Sequence, residues 1–515
     1  MKNLNSCWLI IVLFATSCAV TRQSSKTDDG LITVNLVQVN DVYEIAPLNG
    51  GKEGGMARVA TIKKKYLKQN LNTFLIMAGD FLSPSVYNSL QFEGKAIRGK
   101  QMVEAMNVAG VDIAIFGNHE FDIKESELQS RINESHFQWV SSNTYHQQDG
   151  KVMPFIKYNT PSGTSPFPET LITSVRDADG TLARIGFIGL TLPFNRVAYV
   201  NYSDGLTAAK KLYSWLKDSV DAVVAITHQS LQEDEILARE IPGLALIIGG
   251  HEHDQRFEKV GNIYITKALS NAKSAYVLTL TINKKTHTVN VVPKQELLNE
   301  TIAPDSATNV VVQKWVSVAN ASYSSIGFDA NRIVLREGAP LDGREPEIRS
   351  HATNLTKLIV NSIKAAAPHA EVALMNSGSI RVDDILQMPV TEYDIIRTLP
   401  YGGGIKEADM AGSLLIQILN VGLNNKNTGG YLHYNDDLQF DMASGKWSLN
   451  HIDIDPLRTY RVAMSEFLFS GGEANLGFLK PGNKDISRVY DIDPNNLSAM
   501  SDLRKAVIEY LLRMK

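Results

Sequence analysis

The sequence predicts an α/β fold in two parts, and three observations carry that expectation. From Leu31 onward, short β-branched runs alternate with longer amphipathic stretches. The early runs each end in Gly, Asn, Asp or His. A second, Gly-rich region with strands of its own begins near Asn331. Strands alternating with helices imply a layered α/β domain. The composition is 44% hydrophobic, 8% aromatic and 21% charged, which excludes a disordered, collagen-like or low-complexity chain. A chain of 515 residues suits about two to four domains.

The N-terminus reads as an address. Met1-Lys2-Asn3 is a short positive region, Trp8 to Phe14 is apolar, and Ala15-Thr16-Ser17-Cys18 comes next. The apolar run falls well short of the about 20 residues that span a bilayer. It resembles a bacterial lipoprotein signal, in which Cys18 would carry lipid; a plain secretory signal is the alternative. Residues 1–18 are thus expected to be a signal and the polar 19–30 a tether. The protein is then extracytoplasmic, periplasmic or at the cell surface, anchored by lipid to the outer membrane. Cys7 and Cys18 are the only cysteines, so no disulfide framework and no thiolate metal site is expected in the mature body. A net charge of -4 gives no basic field for a nucleic-acid polymer.

Along the chain, Thr33 to Val39 predicts a strand, Gly55 to Asn70 a helix, Phe74 to Ala78 a strand and Lys100 to Ala109 a helix. Val111 to Phe116, Ile185 to Leu190, Ala222 to Thr227 and Leu244 to Ile248 continue the strands. Lys273 to Ile282 and Thr288 to Val292 read as closing antiparallel strands. Residues 303–330 read as a helix and connector between domains at 31–302 and 331–515. Val372 to Met375 and Tyr460 to Ala463 are strands of the second region.

The turns after the first-region strands carry the chemistry. Asn40-Asp41, Gly79-Asp80, Gly117-Asn118-His119-Glu120-Phe121-Asp122, His228 and His251-Glu252-His253 each come directly after an apolar run. In an open α/β sheet, C-terminal strand ends face one crevice. A polar residue at one strand end is usually a turn former or cap. Five in series point to one site. Carboxylates, an amide and imidazoles without thiolate suit two divalent ions, with Asp80 as bridging carboxylate. Two ions about 3.5–4 Å apart can clamp a phosphate for in-line attack.

These motifs, with Gly54-Gly55-Met56-Ala57-Arg58, resemble the 5'-nucleotidase branch of the calcineurin-like metallophosphatases. The resemblance implies a four-layer α/β/β/α catalytic domain with two ions, Zn, Mn, Co or Mg. Asp41, Asp80 and His253 would hold one; Asp80, Asn118, His228 and His251 would hold the other. His119, steadied by Asp122, would serve the phosphate or the leaving oxygen. One position departs from the family: its Asp-x-His is here Asp41-Val42-Tyr43. A neutral phenol is a poor ligand, and His253 stands where the family has Gln or Asn. Glu44 is a spare carboxylate expected to face away.

Further on, Asn376-Ser377-Gly378-Ser379-Ile380-Arg381, Leu399-Pro400-Tyr401-Gly402-Gly403 and Phe467 to Glu473 resemble the family's C-terminal domain. The resemblance covers about residues 31–482. It implies that Arg349 and Arg381 reach phosphate and Asn376 contacts the base. Tyr401 and Phe467 would sandwich the base and Glu473 would bind ribose. Without the resemblance, the two aromatics read as core. Ser377 and Ser379 replace family glycines, which predicts a stiffer loop around Asn376. The implied partner is a small nucleotide, and the implied reaction hydrolyses nucleoside 5'-monophosphates. UDP-sugar hydrolysis, 2',3'-cyclic-nucleotide hydrolysis and a nucleotide-binding protein with an impaired metal site are the alternatives. Gly94 to Lys100 has P-loop spacing, but Gln101 replaces the needed Ser or Thr. Lys63-Lys64-Lys65 reads as a solvated helix face.

Overall fold

The computed structural model describes residues 28–161, 163–194, 196–490 and 499–514. The expected signal, with Cys18, and nearly all of the tether lie outside these residues. No helix among the described residues is long and apolar enough to cross a membrane.

The first region is built on two six-stranded sheets. In one, strands Leu31–Val39, Thr73–Met77, Ile113–Ala114 and Gln138–Trp139 run parallel. Strands Ser274–Asn283 and Thr288–Leu297 close its edge antiparallel. In the other, Leu182–Thr191, Ala222–His228, Leu246–Gly250 and Ile263–Lys267 run parallel between antiparallel edge strands. The period-two geometry of a strand sorts its side chains. Ile32, Val34 and Leu36 enter the core between the sheets, with Phe187, Val224, Ile226 and Ile248 opposite. Val37 and Val39 face the helices on the outer side. Both faces are covered, which is why these strands read as continuous apolar runs. Helices Met56–Leu67 and Lys100–Ala109 cover one sheet. Gly205–Leu216 and Leu231–Glu240 cover the other, giving four layers.

The second region has a five-stranded sheet in the order Leu432–Tyr434, Val372–Asn376, Thr459–Ser465, Ile405–Ala411, Ile486–Tyr490. Helix Gly412–Asn424 packs on one face through Leu414, Leu415, Ile418 and Leu419. Helices Asn354–Ala366 and Leu503–Arg513 pack on the other through Ile359, Ile363, Val507 and Leu511. Between the regions runs helix Ser306–Ser325, capped by Asp305, whose carboxylate accepts from Thr308 N at 3.0 Å. Its Trp315 and Tyr323 are buried in an apolar cluster that continues into both regions.

Two sequence expectations need correcting. Only Ile113–Ala114 of the run from Val111 to Phe116 pairs as a strand. Past Ile115 the chain leaves the ladder to present Gly117 to Asp122, and Phe116 turns into an aromatic cluster with Phe121 and Trp139. Of the three lysines, Lys64 and Lys65 are exposed, as a solvated face requires, and only Lys63 departs from it. Lys63 is buried against Asp112 at 2.7 Å, while Lys64 pairs with Asp305 and Lys65 with Glu296. Asp112, Asp305 and Glu296 arrive from other elements, so helical spacing could not reveal them. Gly94 to Lys100 forms part of a two-residue hairpin and the turn into the next helix.

Candidate active site

The parallel strands of both sheets deliver their C-terminal ends to one edge of the sandwich. Asp41 and Asp80 lie just past their strands in the left-handed region, at φ 52 and 55. That conformation is strained for a residue with a side chain, and such strain concentrates at functional sites. Glycine clears the space. A Cβ on Gly117 would lie 2.1 Å from Asp80 Oδ1, and one on Gly79, itself at φ 83, would lie 2.6 Å from His228 Nδ1. The Gly-Asp and Gly-Asn pairs in the sequence thus reflect close packing around two carboxylates.

Donor atoms of Asp41, Asp80 and His228 lie within 4.8 Å of one another, and all three residues are buried. His228 Nδ1 donates to Ala78 O at 2.8 Å. This turns Nε2 to the carboxylates, 3.1 Å from Asp80 Oδ2 and 3.9 Å from Asp41 Oδ1. One ring nitrogen held by a carbonyl and the other aimed at acidic oxygens is how protein imidazoles hold metals. Burial disfavours charge on His228, yet Asp80 and Asp41 raise its pKa to about 9. Burial likewise works against the Asp80 carboxylate, while His228 and His119 hold it well below the usual range. Two buried carboxylates facing imidazole nitrogens call for a cation, so the donor set fits a divalent ion.

His253 joins from the next turn, with Nε2 3.5 Å from Asp41 Oδ1. Tyr43 points into the same place. Its hydroxyl lies 2.9 Å from His253 Nε2, 3.3 Å from Asp80 Oδ2 and 3.4 Å from Asp41 Oδ1. Donors bound about 2.1 Å from one tetrahedral ion sit about 3.4 Å apart. The three contacts of the Tyr43 hydroxyl, to Asp41, Asp80 and His253, are of about that size. Burial, then the Asp80 and Asp41 charges, keep the phenol protonated well above its ordinary range.

His251 sits at φ 88, its ring 5.5 Å from that of His228. Burial and the His228 charge lower its pKa to about 4. Asn118 is buried at the start of the short helical turn His119–Asp122. In that turn His119 N donates to Asp80 Oδ1 at 2.8 Å, and His119 Nδ1 lies 2.6 Å from Asp122 Oδ2. Asp80, His119, His251 and His253 line a cleft of about 760 Å³ whose other wall includes Arg344, Glu345 and Asp383 of the second region.

Some contributors carried no sequence assignment. Glu120 accepts from four backbone N–H groups, of Asp80, Phe81, Leu82 and Gly117, at 2.5–3.0 Å. It ties the Asp80 loop to the Asn118 loop. Burial and the Asp80 charge push its pKa up to about 7, while the four donors favour its ionised form. Its place beside Asn118 and His119 in the motif was the only signal. Asp383 pairs with His253 Nδ1 from the second region, and nothing local marks it. Glu44 faces away from the cluster, as expected, and accepts from Tyr393 OH at 2.6 Å.

The second region holds a cavity of about 460 Å³ lined by Arg349, Asn376, Arg381, Tyr401, Phe467 and Glu473. Tyr401 is 68% and Phe467 49% exposed, so neither is a core aromatic. Both serines of the Asn376 loop are hydrogen-bonded. Ser379 Oγ donates to Asn376 Oδ1 at 2.7 Å, and Ser377 Oγ lies within hydrogen-bond reach of Ile348 O and Tyr431 O. Asn376 Nδ2 then donates to Glu473 Oε2 at 2.6 Å. Arg381 also lines a narrow crevice with Tyr43. It lies close enough to His119 for its charge to disfavour the imidazolium. Cavity and carboxylate cluster are therefore neighbours.

A double-sheet α/β sandwich with acidic and imidazole donors at its edge belongs to the metal-dependent phosphoesterases, and comparison with known proteins agrees. Residues 34–255 match the calcineurin-like phosphoesterase family and 334–479 match the 5'-nucleotidase C-terminal domain. Protein 5NUC of Lutzomyia longipalpis is 24% identical, over 90% of this chain and 89% of its own. The 5'-nucleotidase of Rattus norvegicus is 22% identical, over 90% and 83%. The crystal structure of a 5'-nucleotidase precursor from Thermus thermophilus superposes with a TM-score of 0.67 at 22% identity, over 94% and 97%. The chain belongs to the 5'-nucleotidase family and is a metal-dependent phosphoesterase.

Proposed function

We propose that this chain is an exported phosphohydrolase that converts nucleoside 5'-monophosphates to nucleoside and phosphate, anchored by lipid on Cys18. Residues 31–302 are the catalytic domain, 303–330 the connector and 331–515 the substrate domain. One observation carries the reading: six candidate nucleotide contacts line one cavity, and its Arg381 also reaches toward His119 and Tyr43. Tyr401 and Phe467 take the base between them, Asn376 its edge and Glu473 the ribose. Arg349 and Arg381 grip the phosphate as guanidinium forks. Asp41, Asp80 and His253 hold one ion and Asp80, Asn118, His228 and His251 the other. When bound, the ions neutralise the phosphate and acidify water. His119 keeps its Nδ1 proton on Asp122, leaving Nε2 to deliver a proton to the departing oxygen.

Phosphate release from chelator-treated protein, with Mn²⁺, Zn²⁺, Co²⁺ or Mg²⁺ restored, tests this. The panel is AMP, GMP, UMP, UDP-glucose, 2',3'-cyclic AMP with an added monoesterase, and an aryl phosphate. Metal-dependent release from a 5'-monophosphate above the aryl phosphate is expected. Faster turnover of UDP-glucose or the cyclic ester would move the assignment to that substrate. Labelled palmitate should enter the wild-type chain and not Cys18→Ser.

Tyr43 favours a second reading, a nucleotide-binding protein whose first ion is displaced by the phenol. Tyr43→Phe separates the two. If the hydroxyl displaces the first ion, the variant holds about one ion more; if Asp41, Asp80 and His253 hold that ion beside it, metal content stays at two.

A further inference from the structure

We propose that Asp383, in the C-terminal region, is the positioning residue for His253, so that the first metal site is complete only when the two regions are docked. The inference rests on the reading above that His253 is a metal donor. His253 has two ring nitrogens, and the structure assigns both. Nδ1 pairs with Asp383 Oδ2, and Nε2 faces Tyr43 Oη at 2.9 Å and Asp41 Oδ1 at 3.5 Å. A carboxylate on one nitrogen fixes the proton there and directs the other nitrogen's lone pair to the ion. Asp383 is itself clamped, because its Oδ1 accepts from Glu345 N at 2.5 Å. Its backbone sits at φ 36, a conformation kept only where the surroundings impose it.

The loop that carries Asp383 makes the contact more than local. Arg381, two residues earlier, lines the nucleotide cavity. Asp384, one residue later, pairs with Lys273 of the first region at 2.5 Å. A single turn of chain thus touches the candidate substrate, the neighbouring region and a metal donor. Moving the C-terminal region away would release the His253 imidazole and weaken the first ion. The donors assigned to the second ion, Asp80, Asn118, His228 and His251, all belong to the first region, so none is carried on the loop of Asp383.

Metal titration of the chelator-stripped full chain against a chromophoric competitor tests this without an activity readout. Wild type should take up two Mn²⁺ ions. Asp383→Ala should bind one of them about 10- to 100-fold more weakly and the other unchanged. Asp383→Asn, which keeps an acceptor oxygen, should lie between, and it serves if the alanine variant does not fold. Asp384→Ala should change either affinity by less than about 3-fold. His253→Ala with Asp383→Ala should lose no more than His253→Ala alone, because one residue acts through the other. Uptake of both ions by Asp383→Ala with wild-type affinity, or additive losses in the double variant, overturns the proposal. Wild type that takes up no ion overturns the metal reading on which it stands.

Discussion

At the scale of single residues, the site divides into groups that hold charge and groups that hold position. His119 belongs to the first kind. Burial disfavours its charge, but Asp80 and the Asp122 hydrogen bond raise its pKa. On the proposed function, in which His119 is the general acid, His119→Ala should lower kcat by about 10² or more with metal content intact. Parallel measurement of phosphate release and bound metal checks both halves. Tyr401 belongs to the second kind. Base stacking is worth about 1–3 kcal/mol, so Tyr401→Ala should raise KM for AMP by about 5-fold or more. Its KM for an aryl phosphate should stay near wild type; equal weakening of both substrates would remove the stacking role.

At the scale of elements, strand ends and the turns behind them do the positioning. Glu120 shows how: one buried carboxylate caps four amides and fixes the Asp80 turn against the Asn118 turn. The Asn376 loop is braced from beneath by His433, whose Nε2 lies 3.1 Å from Ser377 Oγ. Burial lowers the pKa of His433 to about 4, and its Nδ1 has no partner among the described residues. An unfolded His titrates near 6.5. Between pH 6.5 and 4 the unfolded chain therefore holds the extra proton, and acid favours unfolding. The shift corresponds to about 3 kcal/mol of stability, present above pH 6.5 and lost progressively toward pH 4. Urea midpoints of wild type and His433→Gln at pH 7 and 5 check the sign: the variant should lose less on acidification.

At the scale of the molecule, the two regions share an apolar cluster and a polar seam. Trp315 of the connecting helix is fully buried, and its Nε1 donates to Glu104 Oε2 at 2.9 Å. Trp315→Ala should cost about 3–5 kcal/mol through the cavity it leaves. Thermal melts followed at both regions should shift together, because the cluster continues into each. Tyr393 on Glu44, Asp384 on Lys273 and Asp383 on His253 form the seam. If two separate transitions appeared in the wild type, the shared cluster would not be joining the regions.

By itself the sequence determined the layered α/β class, most strand positions, and which acidic and imidazole residues stand at the strand ends. Those signals are local: β-branched runs, Gly before Asp or Asn, His and Asp three apart. The six residues around the second-region cavity were legible only through a family resemblance, since exposed and core aromatics look alike in a sequence. Tertiary structure alone decided where Tyr43 points, which amides Glu120 caps, and that Asp383 of the second region meets His253 of the first. The physical reason is that each depends on how separately folded layers dock. A side chain's nearest charge is then set by packing between elements, which no spacing along the chain encodes.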